Sequence, residues 1–537
     1  MQLCAIILHT CLALVTSQGF LVWPPAQHMH ADGPTMPLAP EFSIKASIDG
    51  VAQDASSSLA AARLADAASR YTTVVARVSS PLSRLRSGVS VRSLQISVAS
   101  SDMRLSLETQ YDYTLAVHTD GSANASAKSI YGAMYAMETF VQLIDPEGHL
   151  HHSTIVIRDS PQYAWRGLMI DSGRRFFPME TVRNLLDTMS ANKLNVLHLH
   201  ASDHCRFGVE SKLFPNLTNS LTGIKAGHYT QQDIKDMIAY AGARGIRIVP
   251  EFDVPGHSRG FIPLEGAGVK FCTNTETRSQ LYGDPANSTL NILKQLFKEM
   301  SELFDDEVFN IGCDETAAKG PCTTESTFEM ERHLFNYIAN DLKKTPAGWE
   351  EALLVSAAAT SNTIVDSWTG THAGEITKTG RKAIESAADH FYFTSAAPGG
   401  PQGWKKCWYG INATVPASQQ NLLLGGEMSM WSDTYCYINQ CGSSGGNPPV
   451  GHDLFDPARN SEFGKSIGGM IWPRGFVAAG SFWNYNAATD PSSEAFTSSI
   501  WRLNDQLIAR GAWTCPTNCS CDQLTACGKP YIKDIVV

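Results

Sequence analysis

Residues 166–200 read RGLMIDSGRRFFPMETVRNLLDTMSANKLNVLHLH. The first six form a short apolar run closed by an acid, which predicts a strand. Over 179–192 the apolar residues Val182, Leu185, Leu186 and Met189 fall on one stripe of a 3.6-residue period, which predicts a helix. From 194 to 200 the chain returns to a strand. A strand, a crossover helix and a second strand bring two parallel strands side by side.

Outward from this unit the rhythm continues. Residues 231–244 predict a helix with Thr230 as N-cap, Asp233 three places on, a stripe of Ile234, Met237, Ile238 and Ala241, and Gly245 as the stop. Further strands are predicted at 246–251, 308–312, 346–349, 363–368, 390–395 and 422–427. Eight strands over roughly 260 residues, mostly separated by helical patterns, fit a (β/α)8 TIM barrel, an α/β fold, spanning 161–510. A doubly wound open sheet competes, but the chain lacks its Gly-rich phosphate loop. Residues 18–160 predict a small α+β domain, with strands at 90–99 and 113–117 and a helix at 129–144. A cysteine-rich tail follows at 511–537.

The 537 residues carry 42 Lys+Arg against 52 Asp+Glu, a net charge of −10, and 43% of them are hydrophobic. That apolar content supports a large core, and the acidic balance argues against nucleic acid as a partner. Residues 1–17 resemble a signal peptide, mostly apolar from 3 to 15 but without a basic start; an ordinary buried helix is the alternative. Of thirteen cysteines, Cys4 and Cys11 would leave with it. Cys436 lies near Cys441, and Cys515, Cys519, Cys521 and Cys527 crowd the tail, as disulfides in an oxidising compartment do. Zinc is the rival for the tail, but no CxxC pair or paired histidines are present there. N-x-S/T sequons stand at Asn124, Asn216, Asn287, Asn412 and Asn518. Together these features suggest a glycoprotein of the secretory pathway, lysosomal, vacuolar or extracellular, with no membrane insertion once the signal is removed.

The C-terminal ends of barrel strands build the active site. Those ends carry Asp171, His198, His200, Asp203, His204, Glu251, Asp253, His257, Asp314, Glu315, Trp349, Glu350, Trp368, Glu427 and Trp431. Acids and histidines beside several indoles suit a sugar site, because indole rings pack on the apolar faces of sugars while carboxylates move protons. FNIGCDE (309–315) is the sharpest motif. Neighbouring side chains of a strand face opposite ways, so Asp314 and Glu315 can share one pocket only if the backbone turns after Gly312. Two carboxylates in one pocket push their pKa values apart, which supplies an acid and a charged partner. Two solvated loop acids are the plainer alternative. His198 and His200 form an H-x-H pair that suits either a metal-dependent hydrolase or histidines satisfied by hydrogen bonds.

Six segments in order resemble glycoside hydrolase family 20, the β-N-acetylhexosaminidases: RGLMID (166–171), NKLNVLHLH (192–200), EFDVPGH (251–257), GCDE (312–315), GGEMSMW (425–431) and WPR (472–474). ETFVQL (138–143) resembles the end of a helix in that family's smaller N-terminal domain. The resemblance implies an exo-acting, retaining hydrolase of terminal β-linked N-acetylhexosamine in glycans or chito-oligosaccharides. The sugar's own acetamido oxygen would be the nucleophile. It implies Glu315 as acid and base, Asp314 as the group that orients the acetamide, and Arg166 as a clamp on sugar hydroxyls. Asp203 and His257 would support Glu315, and Trp349, Trp368 and Trp431 would wall the pocket. It further implies a Cys272–Cys322 disulfide, no cofactor or metal, and a possible homodimer.

The chain departs from the family pattern at four places. His204 stands where a second Asp is usual, Cys313 replaces a second Gly, and Asp433, which would hold a sugar hydroxyl, replaces a Glu. A tyrosine expected after strand seven to bond the acetamido carbonyl is absent from 395–400, and Tyr409 does not match it. Loss of such a donor can cost on the order of 10²–10³ in rate, so a catalytically weakened, carbohydrate-binding homologue is the alternative function.

Overall fold

A computed structural model of the chain describes residues 20–49, 58–79, 88–219, 227–273, 279–393, 400–432 and 460–514. The expected signal peptide, residues 395–399, Asp433, Cys436, Cys441, Asn518 and the tail cysteines lie outside those residues. The chain divides into two compact units.

The first unit comprises Met1–Met103, Gln110–Pro161 and Asp490–Arg510. Its elements are β1 (His28–Asp32), β2 (Met36–Ile48), α1 (Leu59–Val78), β3 (Val91–Val98), β4 (Tyr113–Val117), β5 (Ala123–Ala127), α2 (Ile130–Gln142), β6 (His149–Leu150) and β7 (Thr154–Asp159). The strands form one mixed sheet in the order β1-β7-β4-β5-β3-β2-β6. Alternation decides its faces: in β5, Ala123, Ala125 and Ala127 are buried while Asn124 and Ser126 are exposed. Every residue of α2 is buried, and Ser129 caps its start by accepting from Gly132 N.

The second unit comprises Arg104–Thr109, Gln162–Thr489 and Gly511–Val537. In chain order it contains β8 (Trp165–Asp171), α3 (Met179–Ala191), β9 (Val196–His200), α4 (Gln231–Gly242), β10 (Arg247–Glu251), α5 (Ser288–Leu303), β11 (Val308–Asn310), α6 (Thr324–Asn340) and β12 (Thr345–Trp349). It continues with α7 (Glu351–Leu354), β13 (Ile364–Ser367), α8 (Ala373–Thr377), β14 (Lys382–Glu385), α9 (Ala388–Phe391), β15 (Leu423–Met430), α10 (Asn460–Ile471) and α11 (Arg474–Asn484). The eight strands β8 to β15 close into a barrel, and every pair within it is parallel. Trp165, Val196, Val249, Val308, Ala347, Ile364, Ile384 and Leu424, one from each strand, meet in a single buried cluster. The Thr230–Asp233 capping box predicted for α4 is formed in both directions.

Two expectations are corrected. The barrel was expected to run to residue 510, but α12 (Glu494–Ala509) belongs to the first unit. There it buries Phe496, Ile500, Leu503 and Leu507, and the Phe496 ring meets Trp23 edge-on at 5.1 Å. Strand seven was expected at 390–395, but it is β14, the sequence KAIE. Four residues with two apolar ones carry little strand signal, whereas the aromatic run HFYF carries a strong one. Tyr392 does make a parallel bridge to Ser429 of β15, so strand-like pairing resumes beyond β14 at the C-terminal end of the barrel.

Candidate active site

β11 ends at Asn310, and the chain then turns as the acid pair requires. Gly312, Cys313 and Glu315 all have positive φ, at 66°, 72° and 48°. A Cβ on Gly312 would lie 2.0 Å from Asp253 Oδ1, so only glycine fits there. The non-glycine residues in this conformation mark a turn held by its surroundings. It separates the two carboxylates: the Asp314 side chain is 9% exposed and the Glu315 side chain 58%.

Asp314 faces Asp253, and the two buried carboxyls act on one another electrostatically. Burial, reinforced by the charge of Asp314, pushes the Asp253 carboxyl well above the usual range. Burial also raises Asp314, though His257 opposes it. Asp253 is therefore biased more strongly toward its neutral form than Asp314, which leaves Asp314 the member more readily charged. Glu315 behaves differently. A hydrogen bond from His257, 3.1 Å from Nε2 to Oε2, holds its carboxyl below the ordinary range.

His257 is the hub of the acid cluster. Its Nε2 lies 3.5 Å from Asp314 Oδ2, and its Nδ1 lies 3.4 Å from Asp203 Oδ1. Burial disfavours its charged form, but Asp203 and Asp314 outweigh that, and its pKa is raised well above the usual value. Arg174 joins the group. Its Nη2 is 3.0 Å from Asp203 Oδ2, and its Nη1 is 3.0 Å from Asp171 Oδ2 at the end of β8. The guanidinium also lies over the Trp431 ring, 5.1 Å from the centroid. Asp203 is thereby drawn well below the usual carboxylate range: its burial is overcome by Arg174 first and the histidines after it.

Trp349 and Trp431 form a cluster with Met169, and Trp368 and Tyr392 pack against it. The Trp349 and Trp431 rings are 5.8 Å apart, and Trp368 stacks on Tyr392 at 6.0 Å. Hydrogen bonds pin two of the indoles: Trp349 Nε1 donates to Glu251 Oε1 at 2.8 Å and Trp368 Nε1 to Glu351 Oε2 at 2.9 Å. Tyr392 lies within electrostatic reach of Asp314. All three expected tryptophans thus come together, with a tyrosine that the sequence reading missed.

The H-x-H pair is held by carboxylates. His198 Nδ1 is 2.7 Å from Glu427 Oε1 and its Nε2 3.1 Å from Glu251 Oε2. His200 Nδ1 is 2.6 Å from Glu251 Oε2 and its Nε2 3.0 Å from Asp203 Oδ2. Both nitrogens of each ring are already engaged, as the hydrogen-bonded alternative requires. Asp203, His204 and His257 bring three potential ligand atoms within 4.8 Å of one another. Arg174 Nη2 lies 3.3 Å from His257 Nδ1, so a permanent cation already occupies that cluster and opposes a metal ion.

Arg166 is a correction. It is the second residue of β8, at the N-terminal end of the strand and away from the pocket. Fully buried, it donates from Nη1 to Tyr163 O at 2.7 Å and from Nε to Lys193 O at 2.8 Å. Strand direction excludes it from the sugar site, and Arg174, just past the other end of the strand, is the arginine at the pocket. The signal was in the sequence: Arg174 follows Asp171 by three residues in the loop after the first strand.

Cys272 and Cys322 form a disulfide that closes 50 residues, with Cα atoms 5.3 Å apart. It joins the loop after β10 to the loop carrying Asp314 and Glu315. Cys205 is disulfide-bonded as well, while Cys313 and Cys407 are free and buried. Among the sequons, Asn124, Asn216 and Asn287 are exposed and Asn412 is half-buried.

The catalytic-domain model of glycosyl hydrolase family 20 matches residues 163–440, and a model described as beta-acetyl hexosaminidase like matches 22–143. The chain is 31% identical to the mouse beta-hexosaminidase subunit beta over 355 residues, 61% of this chain and 65% of that one. It is 28% identical to the rat subunit alpha over 454 residues, 78% of each. Among solved structures, the Streptomyces coelicolor β-N-acetylhexosaminidase aligns with a TM-score of 0.70 at 18% identity, covering 93% of this chain and 97% of that one. A Vibrio harveyi exo-β-N-acetylglucosaminidase in complex with N-acetylglucosamine aligns with a TM-score of 0.69 at 21% identity, covering 93% and 79%. These likenesses below 25% identity support the fold, and the matched family model covers more than half of the sequence: the chain belongs to glycosyl hydrolase family 20.

Proposed function

We propose that the protein is an exo-acting β-N-acetylhexosaminidase that removes terminal, non-reducing β-linked N-acetylhexosamine with retention. One observation carries the reading. Asp314 and Glu315 are adjacent in sequence, yet one is sunk against Asp253 beside the aromatic pocket and the other is half open on His257. Glu251, Glu427 and Asp203 are committed to histidine, tryptophan and arginine donors, so they are poorly placed to attack an anomeric carbon. The acetamido oxygen of the sugar serves as the nucleophile, as membership of the family implies.

In this scheme Asp314 accepts from the acetamide N–H, orienting the group and balancing the charge that grows on it. Tyr392 donates its hydroxyl to the acetamide oxygen. Glu315 gives its proton to the leaving oxygen, then takes one from the water that opens the cyclic intermediate. Trp349, Trp368 and Trp431 wall the sugar, and Arg174 together with Asp433 holds its hydroxyls. The weakened-homologue alternative loses its main motive once Tyr392 is available as the donor.

The same reading extends to the rest of the chain. Residues 1–17 act as a signal peptide, and the product enters the secretory pathway for a lysosomal, vacuolar or extracellular destination. Its sequons carry N-glycans, and its substrate is a glycan or chito-oligosaccharide. In sequence, the N-terminal domain of 18–160, completed by α12, precedes the catalytic barrel and the tail of 511–537 follows it, and the protein works as a homodimer. The test is release of 4-nitrophenol from its N-acetyl-β-D-glucosaminide at pH 4–6 by wild type and by Glu315→Gln. Wild-type turnover with a loss of about 10²–10⁴ in the variant is expected; equal rates would sink the mechanism.

A further inference from the structure

His204 lies in the acid cluster, yet the scheme above gives it no task. It follows Asp203 in the loop after β9, and its ring lies 4.9 Å from that of His257, tilted by 43°. Its backbone is fixed on both sides: the N–H donates to the Asp203 carboxylate, and the carbonyl accepts from Arg259 Nη1 at 3.4 Å. The ring itself is not held. Nδ1 is 3.9 Å from Asp203 Oδ1, too far for a hydrogen bond, and neither ring nitrogen has a hydrogen-bond partner among the described residues.

Exposure shows which way the ring can act. Asp203 is fully buried and the His257 side chain is 9% exposed, whereas the His204 side chain is 26% exposed. His204 and Glu315 are therefore the open members of a cluster that is otherwise closed. The terminal sugar enters the aromatic pocket beside Asp314, and its glycosidic oxygen must reach Glu315. The leaving group then projects outward, over the side on which the cluster is open. A polar ring positioned there in advance, with unused hydrogen-bonding capacity, suits a sugar hydroxyl. Burial lowers the pKa of His204 to about 4, so the ring is neutral above that pH and offers one donor and one acceptor.

We propose that His204 is a specificity-determining residue that hydrogen-bonds the sugar of the leaving group and favours saccharide over small aryl aglycones. This rests on the hexosaminidase reading and adds to it the side chain that recognises the second sugar. A merely structural role, acting through His257 and Glu315, would slow every substrate alike, because the chemistry at the terminal sugar is common to all of them.

The experiment compares wild type, His204→Ala and His204→Gln on two substrates that share the terminal sugar, N,N′-diacetylchitobiose and 4-nitrophenyl N-acetyl-β-D-glucosaminide. The readout is the ratio of their kcat/KM values. The Ala variant should lower the chitobiose-to-aryl ratio by about tenfold, the worth of one hydrogen bond, and Gln, whose amide reaches as far as Nε2, should restore most of it. A ratio within twofold of wild type, or a parallel loss on both substrates, would overturn the proposal and leave the hexosaminidase reading intact. A wild-type protein that turns over neither substrate would overturn that reading, and this proposal with it.

Discussion

His257 spans the acid cluster, with Nε2 3.1 Å from Glu315 Oε2 and Nδ1 3.4 Å from Asp203 Oδ1. Its pKa is raised well above the ordinary value and that of Glu315 is lowered, so each favours the other's charged form. Protonation of the leaving oxygen needs the proton on Glu315. The rate must therefore fall as pH rises above the lowered pKa of Glu315. Replacing His257 with Ala removes the hydrogen bond and charge that lower this pKa, so the alkaline limb of the kcat/KM profile should move to higher pH. The maximum should drop by roughly tenfold or more, because the acid loses its orientation. A limb that stays in place or moves to lower pH would show that His257 does not set the acidity of Glu315.

The two arginines at opposite ends of β8 should separate cleanly. Arg174 contacts Asp171, Asp203 and Trp431 at the pocket. Lysine there keeps the charge but loses the planar fork, so Arg174→Lys should lower kcat/KM by about tenfold or more. Arg166 is buried against backbone carbonyls of Tyr163 and Lys193. Arg166→Lys should instead lower stability, by roughly 2–3 kcal/mol, with kinetics near wild type in the protein that folds. Steady-state kinetics and chemical denaturation of both variants test this. A kinetic defect confined to Arg166→Lys would reverse the assignment.

The contrast between these arginines shows what the sequence disclosed. Barrel strands are read from apolar runs, and seven of the eight were legible because the runs were mostly separated by helical patterns. The acid pair was legible because Gly312 gave it a turn. Arg166 misled because a motif match says nothing about which end of a strand a residue occupies. Tyr392 was missed because KAIE is too short and polar to announce β14, so the aromatic run after it took its place in the reading. The raised pKa values of Asp253 and Asp314 had no signal in sequence, since they depend on burial and on an approach across the barrel.

Tyr392 stacks on Trp368 at 6.0 Å and lies 6.1 Å from Trp431, so its ring is locked while its hydroxyl is directed by the packing. Burial raises its pKa well above 10, which keeps the hydroxyl a donor at every working pH. Tyr392→Phe deletes that donor and little else. We expect kcat to fall on the order of 10²–10³, KM to change far less, and the thermal midpoint to remain close to wild type. A variant with wild-type kcat would show that the acetamide oxygen finds its donor elsewhere.

The Cys272–Cys322 disulfide bears on both stability and the site, because Cys322 closes the loop that begins at Asp314. Closing 50 residues is worth up to about 4 kcal/mol if the bond acts by restricting the unfolded chain. The folded loop has other ties: Ala317 N donates to Gln280 Oε1 at 3.0 Å, and Lys319 pairs with Cys322 through a backbone bridge. These contacts keep Glu315 oriented in the native state even without the covalent link. Cys272→Ser with Cys322→Ser should therefore unfold at lower denaturant, by an amount approaching that figure, while kcat at 25 °C stays within about threefold of wild type. If kcat collapses while the fold persists, the bond holds the acid in place, and the local hydrogen bonds are insufficient to do so.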